Sequence, residues 1–307
     1  MVSSAFEGKM TTSWNDDERA FVRAAANYLE NPRFLVQVAD LVGRPIEAAV
    51  ARLPKSAQKL IRRAVQGSLD RGVRWAADAI DASEPQFESF GDASSRARRR
   101  GLGHSLAAAA SGAVGGFTGL ASLPIELPVS TLIMLRSIAA TAHEMGADLA
   151  DPGVRLECVA VLSLGSRSSR DDAAETGYWT ARVTLASAIG EAARALAKTT
   201  AEDLTRVALD RSAPALLRFA AVIASRFEIV VTERVMAQAV PIVGALSGAA
   251  VNTAFAHHFH TVALYHFGLR QLERVHGAAL VEGAYRAALP AAPEPRGAAR
   301  GTRRSSA

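Results

Sequence analysis

With histidine counted as neutral, two stretches of this chain carry no formal charge: residues 101–125 and residues 235–269. Small residues recur in both at intervals of three and four. They are Gly112, Gly115, Gly116 and Gly119 in the first, and Gly244, Ser247, Gly248 and Ala249 in the second. Helices with that spacing approach each other backbone to backbone. Either stretch is long enough to span a bilayer with tilt. Neither is dense in Leu, Ile or Phe, however, and both carry polar or proline interruptions. Ala and Gly drive membrane insertion only weakly. The expectation is therefore two buried helices crossing in a soluble core, with membrane insertion or a lipid-facing hairpin as the alternative.

Composition supports a helical interior. Hydrophobic residues make up 49% of the 307, yet only 6% are aromatic, so the apolar mass is mainly Ala, Leu and Val. Close-packed helices suit that mixture better than a sheet. Hairpin signals are missing, and only FEIVVTERV (227–235) has strand-like composition, with a length that leaves helix or strand open. The expected fold class is an all-α, multi-helical bundle with two uncharged, small-residue-rich core helices or hairpins.

Breaks and caps divide the chain. Residues 16–30 and 33–53 read as amphipathic helices separated by Asn31-Pro32, and Pro54 opens another over 55–82. Its Lys55, Lys59, Arg62 and Arg63 share one face opposite Leu60, Ile61, Ala64 and Val65. Residues 83–100 read as a linker ending in a basic cluster at Arg96, Arg98, Arg99 and Arg100. Asp151-Pro152 is an N-cap followed by proline at N1, with Gly165 closing that helix. Ser169 with Asp172 starts a helix across 170–197, Ser212 and Pro214 start one near 214–226, and a last long helix spans 249–275 and stops at Gly277. The expected domains are a flexible N-terminus (1–15), an N-terminal helical region (16–95), a helical main body (96–289) and a disordered basic tail (290–307).

Several function classes drop out. The net charge of +5 is scattered, and part of it is tail arginines (Arg296, Arg300, Arg303, Arg304), which argues against nucleic acid. The N-terminal sequence lacks a positive-then-apolar export pattern, and the single Cys158 has no internal disulfide partner. Both point to a reducing, cytoplasmic setting. Gly103-His104-Ser105-Leu106-Ala107 lacks the hydrophobic strand that a nucleophile elbow needs. His143-Glu144 has Ala147 where a zinc helix needs its second histidine. GxxGGxxG at 112–119 has no following Lys-Ser/Thr. No motif calls for a cofactor.

Two constellations remain as candidate sites. His257, His258, His260 and His266 lie along one segment, with His257 and His260 three apart and His258 and His266 eight apart. Such spacing suits a metal or a proton-linked switch, but sequence proximity is not ligand geometry, and a cluster without metal is expected. The second is Glu126, between Pro124 and Pro128 on a turn-like corner, with Arg136 amid Leu132, Ile133, Met134, Leu135 and Ile138. Both charges are costly there unless paired, so the expectation is a buried Glu126–Arg136 pair; a binding or catalytic carboxylate is the alternative.

The block LPIELP…MLRSIA (123–139) resembles the EcsC family. So do Asp171–Tyr178, Ala224–Phe227 with Glu233, Gln238–Gly244, Asn252-Thr253, and His258-Phe259 through His266-Phe267 to Arg270–Glu273. The likeness extends over about residues 20–277. The family takes its name from a gene neighbouring an ABC transporter, so the resemblance implies a bacterial protein, and no catalytic residue comes with it. His257 and His260 stand where relatives are expected to carry other polar residues, which speaks against a family-wide metal role.

Two function classes follow. The first is a non-enzymatic accessory protein, cytoplasmic and peripheral to the inner membrane. It would dock on an anionic membrane surface or a membrane protein complex through Lys55, Lys59, Arg62, Arg63, Arg98, Arg99 and Arg100. The second is a hydrolase-like enzyme using Glu126, with Asp148 or the histidines as partners.

Overall fold

The computed structural model of the chain describes residues 14–30, 53–77, 89–99, 122–164, 177–198, 214–239 and 244–289. Among these residues there are nine helices and no strand. They are α1 (Asp16–Glu30), α2 (Lys55–Ala77), α3 (90–99), α4 (Leu123–Glu144), α5 (Pro152–Leu164), α6 (Gly177–Ala197), α7 (Pro214–Ala239), α8 (Gly244–His276) and α9 (Ala278–Ala287).

Local chemistry sets most of the visible ends. Asn15 and Glu18 form a reciprocal box at the start of α1: Glu18 N–H donates to Asn15 Oδ1 at 2.7 Å, and Asn15 N–H donates to Glu18 Oε2 at 3.1 Å. Asp151 caps α5 as expected, its Oδ1 accepting from Gly153 N–H at 2.7 Å. At the end of α4, Ala147 N–H reaches back to Ala142 O and Gly146 N–H to His143 O, with Gly146 at φ 73°. That double bond pattern requires a left-handed residue, which glycine supplies without steric cost. Gly277, at φ 89°, ends α8 and turns the chain directly into α9.

Some expectations change. Residues 90–99, inside the stretch read as linker, are helical; the Ser89 hydroxyl caps them by accepting from Asp92 N–H, and Phe90 meets Phe21 edge-on at 4.8 Å. Helix α7 does not stop near 226 but runs to Ala239, so FEIVVTERV is helical. Its Phe227, Val230, Val231 and Arg234 recur at helical spacing and are all buried, so tertiary packing overrides its β-branched composition. Pro124 and Pro128 do not make a turn-like corner. Helix α4 begins at Leu123 and runs through both: Pro124 falls in the first turn, where its missing N–H costs nothing, whereas Pro128 lies inside the helix and leaves the carbonyl four residues earlier without its usual N–H donor. The 33–53 helix, the Ser169/Asp172 start, Gly165, the 103–107 string, both termini and the uncharged segment 101–121 lie outside the described residues.

Helix α8 is the axis of the bundle, contacting α1, α4, α5, α7 and α9. From Val251 to Leu269 the second uncharged segment is predominantly core, including Phe255, Phe259, Val262, Leu264 and Phe267. Helices α2 and α4 run parallel: a Cβ on Gly67 would sit 3.5 Å from Pro128, and one on Gly72 would sit 3.3 Å from Leu135. Arg155, buried at the start of α5, locks three segments. It donates to Ala76 O at 2.7 Å, Leu149 O at 2.7 Å and Ala150 O at 2.8 Å. Among the described residues α4 alone is long and apolar enough to cross a membrane, and 56% of its apolar window is buried inside the bundle.

Among the described glycines, Gly268 has the closest neighbour: a Cβ there would sit 2.3 Å from Cζ of Phe21 on α1. Gly268→Ala should therefore destabilise the protein by about 1–3 kcal/mol through overpacking. Adding Phe21→Leu should recover part of that loss. Denaturant melts of the single and double variants check both.

Candidate functional site

A cleft of about 450 Å³ opens between α5 and α6 and is closed at its inner end by α8. Its polar end is a chain of hydrogen bonds. Tyr178 O–H meets His266 Nδ1 at 2.8 Å, and His266 Nε2 meets Glu157 Oε1 at 3.0 Å. The neutral tautomer with its proton on Nε2 satisfies both partners. Arg270 Nε lies 3.1 Å from the same Glu157 oxygen. Arg182 grips Glu273 with both terminal nitrogens and lies over the Trp179 ring at 5.1 Å. Ala160, Leu164, Val183, Ala186, Ile189 and Ala193 form the apolar walls.

This network is fixed in one protonation state around neutral pH. Burial alone would raise the Glu157 carboxyl, but the hydrogen bond from His266 and the charges of Arg270 and Arg182 outweigh it and pull the value down to about 2. Burial pushes His266 below its ordinary value, against the pull of Glu157. Burial also raises Tyr178 out of range. The start of α6 is held from another helix: Glu30, the last residue of α1, accepts from Gly177 N–H at 2.8 Å, Tyr178 N–H at 3.2 Å and Tyr285 O–H at 3.0 Å.

The expected Glu126–Arg136 pair does not form. Arg136 is exposed, on the same helical stripe as exposed Ile125 and Val129. Glu126 instead pairs with Arg234 of α7, whose guanidinium is fully buried and lies over the Phe255 ring at 4.9 Å. Asp148 is exposed at the far end of α4, its Oδ1 accepting from Ala150 N–H. Roughly 27 Å of helix separates Glu126 from the end of α4, so Asp148 is no partner for it.

The histidines also part company. His257 is exposed, while His258, His260 and His266 are buried on different neighbours. His258 meets Tyr28 at 3.0 Å, His260 meets Thr141 at 3.3 Å, and His266 joins the cleft network. No three His, Cys, Asp or Glu side chains gather as metal ligands among the described residues. Lys55, Lys59, Arg62, Arg63, Arg98 and Arg99 are exposed; Arg62 lies 3.8 Å from Glu228, Arg98 over Tyr265 at 5.9 Å, and Arg100 lies outside the described residues. Sequence reasoning missed Glu157, Arg182 and Arg234 as polar anchors. Glu157 stands between Leu156 and Cys158, a charge in an apolar run, which is the signal that drew attention to Arg136 instead.

The fold and this interior define an all-helical bundle stitched by interhelical ion pairs. Residues 26–272 match the model of the EcsC protein family. The chain belongs to that family. No curated protein and no solved structure matches it.

The network makes a signed prediction about pH. The unfolded chain protonates His266 near 6.5 while the folded chain resists, so stability falls as pH drops below about 6.5. The contribution of Glu157 is present above its ordinary 4.5 and is lost as pH falls from there toward about 2. Thermal melts from pH 7 to 5 should show a shallower decline for His266→Gln than for wild type.

Proposed function

We propose that the protein is a non-enzymatic accessory protein that docks on an anionic membrane surface, in the cytoplasm or wherever that surface is presented. The observation that carries this reading is the outer face of one end of the bundle. Lys55, Lys59, Arg62 and Arg63 are all exposed along the first half of α2. Because α2 and α4 run parallel with Gly67 opposite Pro128, the turn carrying Arg62 and Arg63 lies level with the start of α4, and Lys59 and Lys55 extend beyond it at the same end of the bundle. There Ile125 is 73% exposed and Val129 47% exposed, with Arg136 further along the same stripe. Exposed basic and exposed aliphatic side chains at one end of the bundle suit headgroups and the upper acyl region respectively.

The chemistry inside favours this over hydrolysis. Glu126 is engaged by Arg234, and neither Asp148 nor the histidines reach it. In the cleft, Glu157, His266 and Tyr178 are each moved away from the neutral range, so none is poised to exchange a proton there.

Lys55, Lys59 and Arg63 form no ion pair among the described residues. Replacing these three with Gln should weaken binding to vesicles containing phosphatidylserine by about 3 kcal/mol, roughly a hundredfold. Ile125→Ser should weaken it further, and all four positions are exposed, so melting should not change. Flotation in which the triple variant is recovered with vesicles as fully as wild type would sink the docking proposal.

A further inference from the structure

The α5–α6 cleft is long and narrow. Gly153, Glu157, Ala160 and Leu164 line it from α5, and Trp179, Val183, Ala186, Gly190 and Ala193 line it from α6. The α6 set spans roughly 21 Å of helix at the usual rise per residue. Both sets recur at three- and four-residue intervals, so two helix faces oppose each other along the cleft. Small side chains at Gly153, Ala160, Ala186, Gly190 and Ala193 keep the space open, and Val183 is left 68% exposed at its rim. Its volume is within the range of small-molecule sites.

The polar end selects the kind of head group. His266 and Arg270 both address Oε1 of Glu157; Oε2 receives no hydrogen bond among the described residues, although the side chain keeps 14% of its surface. Neither lining arginine is left without a counter-charge. Arg182 is spent on Glu273, and Arg270 lies between Glu157 and Glu273. Counting Asp151 at the mouth, three carboxylates face two guanidinium groups. An anionic head finds no free cation here, whereas a donor finds an ionised acceptor.

We propose that this cleft binds an aliphatic molecule with a hydrogen-bond-donating head, an alcohol or an alkylammonium, the head on Glu157 and the chain between α5 and α6. The site is separate from the basic face of α2 and does not depend on membrane docking. Its test uses water-soluble probes and no vesicles: calorimetric titration of the whole protein with 1-octanol, octylammonium and octanoate. Octanol and octylammonium should bind about tenfold or more tightly than octanoate. Ala186→Phe, at an exposed position on the wall, should abolish binding of both while leaving the melting temperature unchanged. Glu157→Gln should erase the preference of octylammonium over octanoate. Octanoate binding as tightly as octylammonium, Ala186→Phe leaving the affinities intact, or failure of all three probes to bind would each overturn the proposal.

Discussion

An arginine or histidine enclosed by alanine, leucine and phenylalanine must find its counter-charge or acceptor carbonyls on another element, because leaving it unpaired costs more than most bundles can sustain. Four such side chains organise this one. Arg155 gathers carbonyls from the end of α2 and from the loop before its own helix. Arg234 joins α7 to α4 through Glu126. Arg182 joins α6 to α8 through Glu273, and His266 joins α8 to α5 and α6 through Glu157 and Tyr178. Packing of small residues brings the helices close, and these contacts specify which helix lies against which.

The same constraint separates interior from surface. Arg136, set in an apolar run, turns outward with Ile125 and Val129, while Arg234, set in a β-branched run, turns fully inward. Helix α4 therefore presents a mixed apolar and basic stripe to its surroundings and a polar contact to its core. The exposed basic and aliphatic side chains of α2 and α4 and the elongated, largely apolar cleft between α5 and α6 are two chemically different surfaces of this family member.

Much of the helix inventory was legible in sequence, since local chemistry decides it. Acidic residues at Asp16–Glu18 open α1, Asp151-Pro152 opens α5, and Gly277 ends α8. The extension of α7 was not legible, because Phe227–Val235 has strand composition and only burial against Phe255 and Phe259 makes it helical. The partner of Glu126 was not legible either. It lies 108 positions away on a different helix, and no local pattern encodes which of two arginines faces inward. Glu157 and Arg155, two positions apart inside an apolar segment, carried a signal of the right kind. Tyr178 and His266 carried resemblance to the family without any hint that they touch.

The central claim is that the buried charges are matched across helices, and the Glu126–Arg234 pair tests it most directly because its two ends differ in burial. Arg234 is wholly enclosed, whereas the Glu126 side chain keeps 15% of its surface. A double-mutant cycle in denaturant should show Glu126→Leu, which strands the arginine, costing about 3–5 kcal/mol. Arg234→Met should cost less, since Glu126 retains access to water, and the double variant should return close to the Arg234→Met value. A cycle in which Glu126→Leu is neutral, or in which the two losses simply add, would contradict the account.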